Sequence, residues 1–155
     1  MNTKQKIITK LNLSPLEPEG GFFRNTYVAR EKIGSAIYYL IDDQNFSRLH
    51  RLKCDEIFHF YSGAPVELIQ INEVGELSTT ILGSKIKKNE HFQVLVPAGH
   101  WQGLKLRDPV KDAFALLGAT CFPAYSSELF ELGTSRDLIM SFPKHINKIT
   151  EFLKD

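Results

Sequence analysis

The feature that most constrains this chain is its punctuation. From residue 22 to residue 122, short apolar runs recur about every ten residues, and turn residues stop each one. Phe22–Tyr27, Ser35–Ile41, Glu56–Tyr61, Glu67–Asn72, Leu77–Leu82, Phe92–Val96, Gln102–Leu106 and Phe114–Cys121 read as strands. Glu73-Val74-Gly75-Glu76 marks a hairpin between two of them. Strands this short and evenly spaced predict a sandwich or barrel rather than βαβ units. Helical periodicity appears at the two ends. Ile7, Ile8 and Leu11 share a face over residues 2–12, which Pro15, Pro18 and the Glu19-Gly20-Gly21 turn close off. Ile146, Ile149, Phe152 and Leu153 share a face over residues 142–153, with Ser141 as N-cap and Pro143 in the first turn. That face must cover the outside of the barrel or a partner subunit. No repeat or linker interrupts the chain, so residues 1–155 are expected to form a single domain.

Charge narrows the class of partner. Nineteen basic and eighteen acidic side chains leave a net charge of +1. The densest basic run, Lys85-Ile86-Lys87-Lys88, is short and reads as a solvated loop, so no nucleic-acid partner is expected. No run approaches the length of a membrane span. The N-terminal residues lack the apolar core of a secretory leader, and Cys54 and Cys121 form neither a disulfide framework nor a zinc spacing. A cytoplasmic protein with reduced thiols is the simplest expectation.

Two segments carry the chemistry: His50-Arg51-Leu52-Lys53-Cys54-Asp55-Glu56-Ile57-Phe58-His59-Phe60-Tyr61-Ser62-Gly63 and Pro97-Ala98-Gly99-His100-Trp101-Gln102. Both resemble the paired motifs of the cupin superfamily. His50, Glu56 and Gly63 fall on the spacing of the first motif; Pro97 and Gly99 fall on the second, with Gln102 where that motif has His. Glu17-Pro18-Glu19-Gly20-Gly21-Phe22-Phe23-Arg24, together with the Asp55–Gly63 and Val96–Gln102 stretches, looks like an uncharacterised family of single-domain cupins. The resemblance covers roughly residues 15–130. It implies an all-β fold, the double-stranded β-helix or cupin jelly-roll barrel, with short N- and C-terminal helices, often dimeric. It implies no settled activity.

Typical metal-binding cupins present three His and one Glu. Here Leu52 stands at the second His position and Gln102 at the third. His50, Glu56 and Gln102 are therefore a reduced set for a divalent metal ion, the one cofactor the resemblance suggests. His50 and Glu56 are the candidate catalytic residues, since His50 changes charge near neutral pH without help. Leu104 and Leu106 share a strand face with Gln102 and turn its amide inward. Arg24, Tyr38, Arg51, His59, Gln93 and Gln102 are the candidate ligand-binding residues. The arginines suit a carboxylate or phosphate; their alternative is an ion pair with Asp55 or Glu19. Strand alternation sets His59 on the face opposite Glu56 unless a bulge resets the register.

Three functions stay open at this point: a sugar or sugar-nucleotide isomerase or epimerase with His50 as general base, a metal-dependent oxygenase or isomerase, and a non-catalytic module that binds a small polar molecule. A homodimer is expected, with Phe22, Phe23 and Tyr27 in an N-terminal strand free to meet a partner.

Overall fold

A computed structural model describes residues 2–153. The expected domain ends at residues 1 and 154–155 lie outside the described residues. The chain begins with α1 (Thr3–Leu11), capped by the Asn2 side chain at its start and by left-handed Asn12 at its end. The strands follow: β1 (Ser14–Pro15), β2 (Phe22–Val28), β3 (Ser35–Asp42), β4 (Ser47–Leu52), β5 (Asp55–Gly63), β6 (Val66–Ile71), β7 (Leu77–Leu82), β8 (Glu90–His91), β9 (Gln93–Val96), β10 (Trp101–Leu106), β11 (Phe114–Phe122) and β12 (Phe130–Leu132). Two helices end it, α2 (Ser135–Ser141) and α3 (Ile146–Thr150).

The strands form two six-stranded sheets, in the orders β1-β2-β3-β11-β5-β9 and β12-β4-β10-β6-β7-β8. All pairs are antiparallel except β7 with β8. This is the expected jelly-roll barrel. Its core lies between the sheets, where Tyr39, Phe58, Phe60, Leu68, Leu104 and Leu117 are buried. The outer face of the second sheet is closed by the C-terminal segment: Leu49, Ile69 and Ile71 pack against Leu138, Ile149 and Phe152. Among the described residues the outer face of the first sheet has no comparable cover. Its rows Tyr27–Ala36–Thr120–Ile57–Leu95 and Arg24–Tyr38–Gly118–His59–Gln93 run across five strands.

Two expectations need correction. Residues 142–153 do not form one helix: a separate α2 ends before them at Ser141, and a 3-10 turn over Pro143–His145 precedes the short α3. Proline disfavours helical geometry in the residue before it, and Phe142 is accordingly non-helical at φ −131°. Ser141 is therefore the last residue of a helix capped by Thr134, not the first cap of another. The second is an omission: strand β4 lies outside the apolar runs read from the sequence, because its Ser-Arg-Leu-His-Arg-Leu alternation sets polar residues among buried Leu49 and Leu52. It lies in the sheet opposite β5, so His50 and Glu56 approach from facing walls.

Candidate functional site

Five strands, β2, β3, β4, β5 and β11, and the segments before β2 and after β11 line a cavity of about 190 Å³ between the sheets. The loop before β2 delivers Glu19. Gly20 and Gly21 follow it at φ +110° and +78°, and a Cβ on Gly20 would sit 2.1 Å from the Phe46 carbonyl oxygen. The loop is anchored by the Tyr39 hydroxyl, which donates to the Gly20 carbonyl at 2.8 Å, and by the Arg48 N–H, which donates to the Glu19 carbonyl at 2.9 Å. The Glu19 carboxylate accepts from Ser47 Oγ at 2.8 Å.

His50 is 1% exposed. Its Nδ1 lies 2.7 Å from the Arg48 carbonyl, and a carbonyl only accepts, so Nδ1 carries the hydrogen. The lone pair of the neutral ring is then on Nε2, which lies 3.9 Å from Glu19 Oε2. That gap is too long for a direct hydrogen bond and suits a bridging water or ligand hydroxyl. Phe130 stacks on the ring with centroids 5.4 Å apart.

Glu56 faces His50 from the other sheet. Gln102 is the Cα partner of His50, and its Nε2 crosses the barrel to donate to Glu56 Oε2 at 2.8 Å. Cys121 Sγ lies 3.8 Å from Glu56 Oε1. Burial, reinforced by the Glu19 charge, pushes the Glu56 carboxyl up to about 7, while His50 and the Gln102 bond pull the other way. A carboxyl poised there can give or take a proton at neutral pH. Burial also raises the Tyr39 hydroxyl well above its ordinary value. Cys54 and Cys121 hydrogen-bond one another, which lowers the first thiol and raises the second.

The residues do not fit the ion that typical cupins hold. Among the described residues no three His, Cys, Asp or Glu side chains form a group that could hold one. Leu52 fills the cavity wall at the second His position. Gln102 turns its N–H rather than its carbonyl toward Glu56, and its Oε1 is buried without a partner.

His50, Glu56 and Gln102 thus meet inside the barrel, and the other candidates lie elsewhere. Arg24 lies over the outer Tyr38 ring at 5.5 Å, and Tyr38 meets Tyr61 edge-on. His59 faces outward, as alternation requires; its Nε2 meets Thr120 Oγ1 at 2.8 Å and Gln93 Nε2 donates to its Nδ1. The one bulge in β5's pairing with β11 comes after His59, between Leu116 and Leu117, too late to turn it inward. Arg51 pairs with Glu131 and stacks over Trp101 on the outer side of β4. Neither arginine lines the cavity. Sequence reasoning missed Glu19, Asn25, Tyr39 and Tyr125 as lining residues. The signal for Glu19 was its place before paired glycines, where a tight turn fixes a side chain's direction.

Comparison with known proteins agrees with this architecture. No curated protein matches the chain. Protein SO0799 from Shewanella oneidensis is 29% identical over 99% of both chains, with a TM-score of 0.91. A hypothetical protein from Leishmania major is 24% identical over 99% of this chain and 100% of its own, with a TM-score of 0.92. Oxalate decarboxylase from Bacillus subtilis shares the fold at 12% identity and a TM-score of 0.61, over 92% of this chain and 37% of the enzyme. Residues 5–133 match the Cupin_5 family, described as "Cupin superfamily (DUF985)", and the chain belongs to that family.

Proposed function

We propose that the cavity binds a small polar molecule and that His50 and Glu56 move a proton on it, as base and acid of an isomerase- or epimerase-like reaction. One observation carries this reading: a buried carboxyl pushed up to about 7 shares a pocket with an imidazole whose Nε2 has the Glu19 carboxylate near it only at 3.9 Å, beyond hydrogen-bond reach. Proton abstraction beside a carbonyl needs a base of that kind, and return of the proton needs an acid nearby. At about 190 Å³ the cavity falls below the ~300–1,000 Å³ usual for drug-sized ligands. A sugar or smaller hydroxy-carbonyl compound suits it better than a whole sugar nucleotide. The metal-dependent alternative, which the likeness to oxalate decarboxylase would favour, finds too few donors here, so no step is assigned to an ion. The test is deuterium exchange at carbon, followed by NMR, with small aldoses, ketoses and hydroxy-ketones in heavy water. Exchange should fall about 10²–10⁴-fold in His50→Gln and in Glu56→Gln. Undiminished exchange in a folded, ligand-binding His50→Gln would leave His50 no chemical role, and ligand binding with no exchange in the wild type would leave a binding module only.

We further propose a homodimer through the bare face of the first sheet. Tyr27, Tyr61, Leu95 and Phe122 are 64%, 52%, 51% and 49% exposed there, and large apolar side chains gathered on one sheet face are the kind of surface that a partner covers. Phe23 does not contribute, because it turns into the cavity. A monomer mass in light scattering at micromolar concentration would refute the assembly. No described helix is long and apolar enough to cross a membrane. The unpaired, buried Cys54 and Cys121 support a reducing, cytoplasmic setting.

A further inference from the structure

The cavity has a charge character that the barrel fold does not require. Among the described residues no lysine or arginine lines it, whereas two carboxyl groups do, Glu19 and Glu56. The arginines nearest in sequence are engaged outside: Arg24 over Tyr38, Arg51 with Glu131, and Arg48 donating to the Pro18 carbonyl. Behind Glu56, the buried Oε1 of Gln102 is a further acceptor with no donor. The pocket therefore carries two carboxyl groups and no fixed cation, with neutral polar groups from Asn25, Ser35, Tyr39 and Tyr125, within walls formed largely by Leu16, Phe23, Ile37, Leu52 and Phe58. Apolar walls lower the local dielectric and strengthen the field of buried charges. An anionic ligand would meet like charge with no counter-ion, the arrangement that costs most.

We propose that the ligand of this cavity bears a compact cationic group, a primary ammonium, and no carboxylate or phosphate, with Glu19 and Glu56 as its counter-charges. This rests on the reading of the cavity as the ligand site and names the substrate class within it. The groups facing Glu56 are Glu19 from the loop before β2, Tyr39 from β3, His50 from β4, Cys54 from the β4–β5 turn, Gln102 from β10, Cys121 from β11 and Tyr125 from the segment after β11, while β9 offers only Val96. Of these only His50 can be cationic. An entering ammonium adds the missing positive charge, so Glu56 ionises and its proton is released to solvent; in that complex the acid that returns the substrate's proton is His50, protonated when it abstracts it, with the Glu56 carboxylate as its counter-charge.

The test uses three compounds of one size that differ in charge: serinol, glycerol and glycerate. Amide shifts of cavity-lining residues report binding, and the Glu56 carboxyl signal reports its titration. Serinol should bind at least about tenfold more tightly than either of the others. It should lower the Glu56 midpoint and release protons, seen as a buffer-dependent heat in calorimetry. Glu19→Gln, which keeps the acceptor for Ser47, and Glu56→Gln should each weaken serinol about tenfold and leave glycerate no weaker. Glycerate or glycerol binding in the cavity as tightly as serinol overturns the charge assignment and leaves the site reading intact. A lining silent to all three at hundreds of millimolar overturns both.

Discussion

Glu56 and His59 stand three residues apart on one strand, and the sheet separates them into different chemistry. Glu56 points inward, is 7% exposed, and has a single strong donor, Gln102. His59 points outward, and both its ring nitrogens are engaged, by Thr120 and by Gln93. Tyr61 closes over the same region, its hydroxyl lying 2.2 Å from where a Cβ on Gly118 would be, so that glycine is needed for the ring to lie flat. Both faces carry polar side chains of catalytic type. Of these two side chains only Glu56 combines deep burial with incomplete hydrogen bonding, and that combination holds a group ready to exchange a proton.

The comparison can be broken most directly through pH. The folded-state value of Glu56, about 7, lies above its ordinary 4.5, so the folded chain holds this proton more tightly than the unfolded one. Its contribution is full below about pH 4.5 and is lost as pH rises through about 7, on the order of 3 kcal/mol. Chemical denaturation across that window should show the loss in the wild type, and Glu56→Gln should flatten it. An unchanged slope in the variant would mean that Glu56 is not the group responsible. Next in size is Gln102→Leu. It removes the donor that favours the carboxylate, so the Glu56 midpoint should move further up, and stability above pH 7 should fall by about 1–3 kcal/mol. Carbon-detected NMR of the carboxyl measures the first effect and urea melts the second; a midpoint that stays still or falls would show the bond to be incidental. The smallest effect belongs to the outer face. His59→Phe removes two hydrogen bonds whose partners can turn to water, so it should cost about 1 kcal/mol or less. Burial holds His59 below its ordinary value, so its contribution is present above about pH 6.5 and is lost as pH falls. The variant should lack that acid-side loss; a change in the Glu56 slope instead would join the two faces energetically.

The barrel was legible because period-two alternation and glycine-proline punctuation are local signals. They gave β3, β6, β7 and β10 nearly whole, and they turned His59 outward and Gln102 inward. What alternation could not supply was the partner across the barrel. Arg24 and Arg51 have the right chemistry for an anion, and nothing local says that Tyr38 and Glu131 engage them outside. Glu19 was hidden for the complementary reason: it belongs to no strand, and long-range bonds to Ser47 and Arg48 bring it to the site. Strand β4 was obscured because its buried polar residues, Ser47 and His50, interrupt the apolar run that marks a core strand. The break at Phe142 follows from Pro143 alone and was readable.

Leu52 has a bearing on the donor set as well as on packing. It lines the cavity where related barrels carry a second imidazole, and Gln102 reaches Glu56 from the place of a third. Histidine at these two positions, Leu52→His with Gln102→His, would add two imidazoles to His50 and Glu56. By donor type the set here is therefore two side chains short of three imidazoles and one carboxylate, so what separates it from an ion-holding set lies in side chains and not in the order of the strands.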